Sequence, residues 1–284
     1  MTGAAEPEEL TIEAPRLRLA ARAWGPRDGA PVLCLHGWLD NAASFDRLAP
    51  LLPAGLRLVA LDHAGHGRSA HRGHGTYHFI DFVADAVAAV QVLGWERFAL
   101  VGHSLGAGVA ALVAGTLPER VSRAVLLEGL GPLTEPAGRA PERLRQAVEA
   151  EMAPERPGRP LADLEAAALV RAKASGLELG AARVLAGRGT TPSAEGLRWS
   201  ADPRLRLPSR LRLSEAHVEA FLRAIACPVR VVLASRGWAA DPELLSARLG
   251  AIARATLDHV EGGHHVHLEA PEAVAAAIGE FLVA

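Results

Sequence analysis

Continuous apolar runs alternate along this chain with stretches whose apolar residues recur every three or four positions. Strands are expected at 16–24, 31–35, 56–61, 97–101, 124–127 and 228–234, with a weaker one at 255–260. Helices are expected at 44–52, 77–93, 105–117 and 271–281. Strands that alternate with helices predict a parallel sheet with helices on both faces, an α/β fold.

This alternation stops between residues 132 and 221. The stretch is rich in charges and prolines, contains amphipathic segments such as 141–151 and 161–175, and has no convincing buried strand. It is longer than an ordinary loop, at roughly ninety residues. We therefore expect a discontinuous sheet domain, 1–131 and 222–284, interrupted by a largely helical cap insertion at 132–221.

A Gly-x-Ser-x-Gly motif, Gly102 to Gly106, stands between a predicted strand and a predicted helix. That context is typical of a nucleophile elbow, in which flanking glycines permit a tight turn and expose the hydroxyl of Ser104. An oxyanion formed there needs two backbone N–H donors. The expected donors are Leu105, directly after the serine, and Trp38, in the turn that follows the predicted strand at 31–35.

A serine nucleophile needs a base, and the residues after the last predicted strand offer histidines at 264, 265 and 267. His264 is the preferred base because two glycines precede it, with His265 and His267 as alternatives. The same histidines could bind a metal ion, but no partnering carboxylate cluster is apparent in the sequence. The other histidine-rich run, at 63, 66, 71, 74 and 78, is interpreted as a loop with satisfied polar side chains.

Two carboxylates are candidates for the acid that orients the base. Glu128 ends the strand predicted at 124–127, on the edge where ligands gather in open α/β sheets. Asp241 follows the strand predicted at 228–234, but it also fits the N-cap of a helix. Glu128 is preferred and Asp241 remains the alternative.

Composition narrows the class of protein. The formal net charge of −2 argues against nucleic acid as an obligate partner. No apolar run is long enough to cross a bilayer, and residues 1–9 lack the features of a signal peptide. Cys34 and Cys227 look like buried apolar side chains, so a cytoplasmic protein is expected. Neither a dinucleotide-binding glycine motif nor a P-loop lysine is present, and no cofactor is expected.

Several motifs occur in the order typical of the α/β-hydrolases. They are His36-Gly37-Trp38, the loop 62–69, the elbow 102–106 and Gly263-His264 with Glu269-x-Pro271. Further details resemble one subgroup, the serine hydrolase-like proteins, namely the stretches 39–45, 128–133 and 263–269. The resemblance implies an α/β-hydrolase fold with a helical cap at the 132–221 insertion and a structural role for loop 62–69.

The expected function is a cofactor-independent serine hydrolase of carboxylesterase type. Such an enzyme would cleave a small or medium ester with an apolar acyl part, and Ser104 favours acyl transfer over the alkyl transfer of relatives with an aspartate nucleophile. A C–C hydrolase, a lyase or a cofactor-free perhydrolase with the same triad is the alternative. A non-catalytic binding protein on the same fold is a third hypothesis, which the intact set of Ser104, His264 and Glu128 disfavours.

Overall fold

The computed structural model of the chain describes residues 6–154, 158–239 and 241–284. Residues 1–5, on which the expectation about a signal peptide rests in part, lie outside these ranges. In the described ranges the strands are β1 (Glu8–Ala14), β2 (Leu17–Trp24), β3 (Ala30–Leu35), β4 (Leu56–Leu61), β5 (Phe98–His103), β6 (Val121–Leu127), β7 (Thr190–Ser193), β8 (Gly196–Trp199), β9 (Val229–Arg236) and β10 (Ala255–Gly263). The helices are α1 (Phe79–Val92), α2 (Leu105–Thr116), α3 (Ala140–Met152), α4 (Leu164–Ser175), α5 (Leu179–Gly189), α6 (Glu215–Arg223), α7 (Pro242–Ala251), α8 (Val266–Glu269) and α9 (Pro271–Val283).

An eight-stranded, mostly parallel sheet forms the centre of the molecule, in the order β1-β2-β4-β3-β5-β6-β9-β10. Strands β1 and β2 pair antiparallel, as do β2 and β4, whereas the pairs from β4 to β10 are parallel. The carboxyl ends of β3, β5, β6 and β10 therefore meet at one edge. This sheet confirms the predicted α/β architecture.

Hydrophobic cores lie on both faces of the sheet because successive strand residues point in opposite directions. In β3, Leu33 and Leu35 belong to the core that includes α1 and α2, while Val32 and Cys34 belong to the core that includes α9. Burial on both faces explains why β3 reads as a continuous apolar run.

Some local predictions were wrong. The helix expected at 44–52 is instead a pair of short 3₁₀ turns, Ala42–Phe45 and Ala49–Leu51. Pro50 lies in the second turn and Pro53 follows it, and a proline lacks the N–H that an α-helix needs. Strand β1 was not predicted, because it is an edge strand with glutamates among its apolar residues.

The chain between β6 and β9 forms helices α3 to α6 and a small antiparallel hairpin of β7 and β8. The hairpin was not predicted because its strands have four residues each and none of those residues is fully buried. Two arginines of this part of the chain form ion pairs with aspartates that follow β3 and β4, Arg171 with Asp40 and Arg188 with Asp62. Within the described ranges, no helix combines the length and apolar character needed to cross a membrane.

Candidate active site

The turn from β5 into α2 carries Ser104 in a strained backbone conformation. Its φ is 52° and its ψ is −115°, a combination that L-residues rarely adopt. Neighbouring glycines make the turn possible. A Cβ on Gly102 would come within 2.3 Å of the Gly106 carbonyl oxygen, and one on Gly106 within 2.0 Å of the Leu35 carbonyl oxygen. Each glycine of the motif thus permits a close approach of two backbone segments.

His264 lies directly opposite the serine, at the end of β10. Its Nε2 is 3.0 Å from Ser104 Oγ, and the side chain is 37% exposed. The backbone reaches this position through Gly262, whose φ of 153° lies in the region that favours glycine. The imidazole therefore contacts the hydroxyl and remains partly accessible to solvent.

Glu128 contacts the second ring nitrogen of the same histidine. Its Oε2 is 3.0 Å from His264 Nδ1, and its side chain is completely buried. The carboxylate also accepts hydrogen bonds from the backbone N–H groups of Ala234 and Trp238, each at 2.5 Å. Three donors thus satisfy a charge that would otherwise be costly to bury.

Gly237 is the residue of this arrangement that the sequence analysis missed. A Cβ at position 237 would lie 1.9 Å from Glu128 Oε2, so a side chain there is incompatible with the observed carboxylate. The sequence signal was a lone glycine a few residues after an apolar strand, which is too common to single out.

Asp241 lies elsewhere. It is exposed and caps α7, where its Oδ1 accepts hydrogen bonds from the N–H groups of Glu243 at 2.8 Å and Leu244 at 3.1 Å. Of the two candidate acids, the structure brings Glu128 to His264 and uses Asp241 as a helix N-cap.

The backbone N–H groups of Trp38 and Leu105 lie in two loops that pack closely together. Gly106 lies against the backbone of Leu35 at the end of β3. Gly37 lies against the ring of His103, because a Cβ at position 37 would come within 2.9 Å of His103 Nδ1. Among the described residues, neither amide is engaged in a hydrogen bond. Both N–H groups are therefore free to donate to another molecule.

A buried polar cluster that the sequence did not reveal lies beside His264. The carboxylate of Asp40 contacts His265 Nε2 at 3.2 Å and His103 Nδ1 at 3.6 Å, and it pairs with Arg171 of α4. Burial alone would raise the pKa of Asp40, but the hydrogen bond from His265 and the charge of Arg171 hold it well below its usual range. Asp40 is therefore an ionised carboxylate inside the protein.

Asp40, His103 and His265 are the residues of the described chain that come close enough together to hold a metal ion, with their ligand atoms within 4.8 Å of one another. A partnering carboxylate for His265 therefore exists, contrary to the sequence analysis. However, the guanidinium of Arg171 already neutralises that carboxylate, which disfavours a divalent cation at the same place. His267 packs against His103 with ring centroids 4.2 Å apart, and its Nε2 lies 2.6 Å from Ser44 Oγ.

The earlier histidine run is the expected polar loop only in its second half, where His71 and His74 are exposed and His71 Nε2 lies 2.9 Å from the Ser200 carbonyl oxygen. His63 and His66 are completely buried and pack edge to face against His36. Burial lowers the pKa of His63 well below its usual range, lowers that of His66 to about 4, and lowers that of His36 to about 3. Neither ring nitrogen of His63 has a hydrogen-bond partner among the described residues. These neutral rings act as core side chains.

Loop 62–69 is held by hydrogen bonds within the fold. The Asp62 carboxylate accepts from the amides of Ala42 at 2.6 Å and Arg68 at 2.8 Å, and it also pairs with Arg188. Ser69 Oγ donates to the Asp62 carbonyl oxygen at 2.7 Å. None of these contacts reaches Ser104 or His264.

Known proteins with similar sequences and folds share this architecture. A serine hydrolase-like protein of Danio rerio is 34% identical over 286 residues, covering 96% of this chain and 88% of that protein. The crystal structure of a hypothetical protein from Pseudomonas aeruginosa is 45% identical with a TM-score of 0.91, covering 98% of this chain and 100% of that one. A thioesterase domain from the curacin biosynthetic pathway is 29% identical with a TM-score of 0.85, covering 96% and 99%.

A family model described as the alpha/beta hydrolase fold matches residues 30–271. That range begins with β3 and ends at the start of α9, so it includes the elbow, the buried glutamate and the histidine loop. With this match and the full-length similarity to a serine hydrolase-like protein, the chain belongs to the α/β-hydrolase fold family.

Proposed function

We propose that the protein is a serine hydrolase of carboxylesterase type that cleaves a small or medium carboxylic ester through an acyl-enzyme. The observation that carries this proposal is the continuous contact from Ser104 Oγ through both nitrogens of His264 to the buried Glu128, with 3.0 Å at each step. A serine, an imidazole and an oriented carboxylate in this order are the parts that acyl transfer to water requires.

In the proposed reaction, Ser104 Oγ attacks the ester carbonyl carbon while His264 Nε2 takes the hydroxyl proton. Glu128 accepts the hydrogen bond from His264 Nδ1–H and so holds the tautomer in which Nε2 can act as the base. The amides of Trp38 and Leu105 bind the oxyanion. His264 then returns the proton to the departing alcohol, and a water molecule activated by the same imidazole releases the acid.

We further propose that residues 132–221 form a cap over a core made of residues 1–131 and 222–284. Contacts at the loop that supplies the Trp38 amide support this role: the indole Nε1 donates to the Leu205 carbonyl at 3.2 Å, and Asn41 Nδ2 donates to the Leu185 carbonyl at 2.9 Å. Such a cap would line the substrate pocket and exclude water, which suits an ester with an apolar acyl part. No cofactor enters the proposed reaction.

The proposal includes a cytoplasmic enzyme. Cys34 and Cys227 are both free and buried, and burial raises the pKa of each thiol. Buried unpaired thiols suit a reducing compartment and need no disulfide for stability.

A thioester is the second candidate substrate. It is favoured by the similarity to the thioesterase domain from the curacin pathway, which matches almost the whole chain. The same residues would act on it in the same order, because a thiolate replaces the alcohol as leaving group and the acyl-enzyme is unchanged.

The test is hydrolysis of p-nitrophenyl esters from acetate to decanoate by the wild type and by Ser104→Ala. We expect the substitution to reduce kcat by at least about 1000-fold, because the nucleophile is lost. Ser246→Ala, at an exposed position of α7, is the matched control and should keep the wild-type rate. Equal rates in wild type and Ser104→Ala would refute the assignment of Ser104.

Parallel assays with acyl thioesters of matched chain length would separate the two substrate classes. A kcat/KM that is higher for the thioesters at every chain length would favour the second candidate. A C–C hydrolase would instead cleave a β-diketone and show no ester turnover. A perhydrolase would form product only when peroxide is present.

A further inference from the structure

The residues that flank the proposed nucleophile and base converge on one carboxylate. His103 directly precedes Ser104, and His265 directly follows His264. Both imidazoles face the same oxygen, Asp40 Oδ2, from 3.6 Å and 3.2 Å respectively. Asp40 follows β3, whereas the two histidines come from β5 and from the end of β10. A single buried side chain thus connects the strands that carry the nucleophile and the base.

An arginine from outside the sheet domain holds the other oxygen of this carboxylate. Arg171, in α4, forms an ion pair with Asp40 Oδ1. The Asp40 side chain is 1% exposed and that of Arg171 is 12% exposed, so water screens this pair very little. The position of α4 is therefore coupled electrostatically to the centre of the site.

The position of the hydrogen on the His103 ring explains why Asp40 needs this cation. His103 Nε2 lies 2.8 Å from the His264 carbonyl oxygen, which can only accept, so Nε2 carries the ring hydrogen. Burial lowers the pKa of His103, which keeps the ring neutral and leaves Nδ1 without a hydrogen. This nitrogen has no hydrogen-bond partner among the described residues, and its lone pair faces the Asp40 carboxylate.

Two acceptors that face each other repel, and the charge of Arg171 offsets this repulsion. Without Arg171, His103 and Asp40 would separate or take up a proton. Either change would disturb the hydrogen bond from His103 to the backbone of His264 and move the imidazole relative to Ser104.

We propose that Arg171 and Asp40 are positioning residues through which α4 holds Ser104 and His264 at hydrogen-bonding distance. The proposal rests on the roles of Ser104 and His264 given above. Because α4 belongs to the 132–221 segment, turnover then depends on the position of that segment relative to the sheet. Neither Arg171 nor Asp40 touches the reacting atoms.

The ion pair of Arg188 and Asp62 provides a matched comparison. It also joins the 132–221 segment to the sheet domain, and both of its side chains are completely buried. Its aspartate, however, accepts hydrogen bonds from the amides of Ala42 and Arg68. It contacts neither of the histidines that flank Ser104 and His264 in sequence. Substituting Arg188 should reduce stability without a specific effect on the alignment of Ser104.

The first measurement is the rate at which a fluorophosphonate labels Ser104, since labelling needs an aligned serine and histidine but no particular substrate. Arg171→Met should slow labelling, and kcat for p-nitrophenyl butyrate, by about 30-fold to 100-fold, with KM changed by less than about 3-fold. Arg171→Lys should recover part of the rate because it retains the cation. Arg183→Met, which breaks an exposed ion pair with Glu165, should label like the wild type.

The decisive variant combines Arg171→Met with Asp40→Asn. An asparagine whose amide nitrogen takes the place of Oδ2 can donate to the free His103 Nδ1. Its oxygen then takes the place of Oδ1, which lies 3.4 Å from His265 Nε2, and can accept from that nitrogen, so both contacts are kept without a charge. We expect this double variant to label within about 5-fold of the wild type, faster than Arg171→Met alone. That rescue would not occur if Arg171 were merely part of the structural packing.

Three results would overturn the proposal. They are wild-type labelling by Arg171→Met, a double variant at least as slow as the single one, and an equal loss of labelling in folded Arg188→Met. A wild type that is labelled but cleaves no ester would refute the proposed reaction while the labelling rates still decide the role of Arg171. A wild type that is not labelled would refute the roles of Ser104 and His264, and this inference with them.

Discussion

Glu128 and Asp241 each accept hydrogen bonds from two backbone N–H groups, but the two carboxylates lie in opposite environments. Glu128 is buried after β6, and its third partner is the imidazole of His264. Asp241 is exposed after β9, and both of its partners belong to the first turn of α7. The comparison teaches that the backbone donors stabilise either carboxylate, whereas burial against an imidazole distinguishes the two.

The loop after β9 contributes a hydrogen-bond donor to Glu128, the proposed acid, and does not contain that acid itself. The amides of Ala234, near the end of β9, and of Trp238, in the loop, bind the Glu128 carboxylate, and Gly237 leaves room for that carboxylate. The proposed acid after β6 thus depends on a segment more than a hundred positions away in sequence, with separations of 106 and 110 residues for the two hydrogen bonds. Substitutions at the acid, at this loop and at the helix cap should therefore have graded effects on activity.

The largest effect is expected for Glu128→Gln. A glutamine keeps the shape, but its NH₂ group must face either the Ala234 N–H donor or both the Trp238 N–H donor and His264 Nδ1. The first orientation leaves a buried donor opposed, and the second favours the wrong histidine tautomer. We expect kcat for a p-nitrophenyl ester to fall by about 1000-fold to 10,000-fold. Glu261→Gln, at a side chain that is 86% exposed, is the control and should keep the wild-type kcat. A loss below about 10-fold would remove Glu128 from the proposed triad.

Gly237→Ala should have the next largest effect. The new Cβ would lie 1.9 Å from Glu128 Oε2, so the carboxylate must move away from His264. We expect kcat to fall by about 10-fold to 100-fold and the free energy of unfolding to fall by about 2 kcal/mol. Gly250→Ala is the control, because a Cβ there has no neighbour within 4 Å. Wild-type turnover by Gly237→Ala would show that the loop after β9 does not constrain the acid.

A double variant sharpens this prediction. Glu128→Asp shortens the side chain by one methylene and withdraws the carboxylate from position 237. In that background Gly237→Ala should reduce kcat by only about 3-fold more, because the two substitutions act on the same contact. Full additivity of the two losses, measured in a double-mutant cycle, would contradict a direct clash between Cβ and the carboxylate.

The smallest effect is expected for Asp241→Ala. Loss of the N-cap should lower the free energy of unfolding by about 1 kcal/mol, measured by urea denaturation, and leave kcat within about 2-fold of the wild type. Asp241→Asn should cost less than this, since asparagine also caps helices well. A fall in kcat of about 100-fold in Asp241→Ala would instead reinstate Asp241 as the acid.

Local sequence patterns were sufficient for much of the fold and for part of the site. The apolar runs predicted β3, β4, β5 and β9 to within a few residues, because strands buried on both faces need an unbroken series of apolar side chains. The elbow around Ser104 was readable because its glycines and serine are adjacent in sequence and a tight turn demands them. The interpretation of His264 rested on the same kind of local signal, two glycines that precede a histidine after a strand.

Tertiary structure alone decided which distant groups meet. Asp40, His103 and His265 lie in three separate stretches of the chain, and no spacing rule predicts that their side chains converge. The choice between Glu128 and Asp241 depended on where the loop after β9 turns, and the burial of His63 and His66 depended on how loop 62–69 packs. Sequence patterns predict local backbone conformation and burial, because these depend on residues that are near one another in sequence. Contacts between remote segments depend on the path of the folded chain.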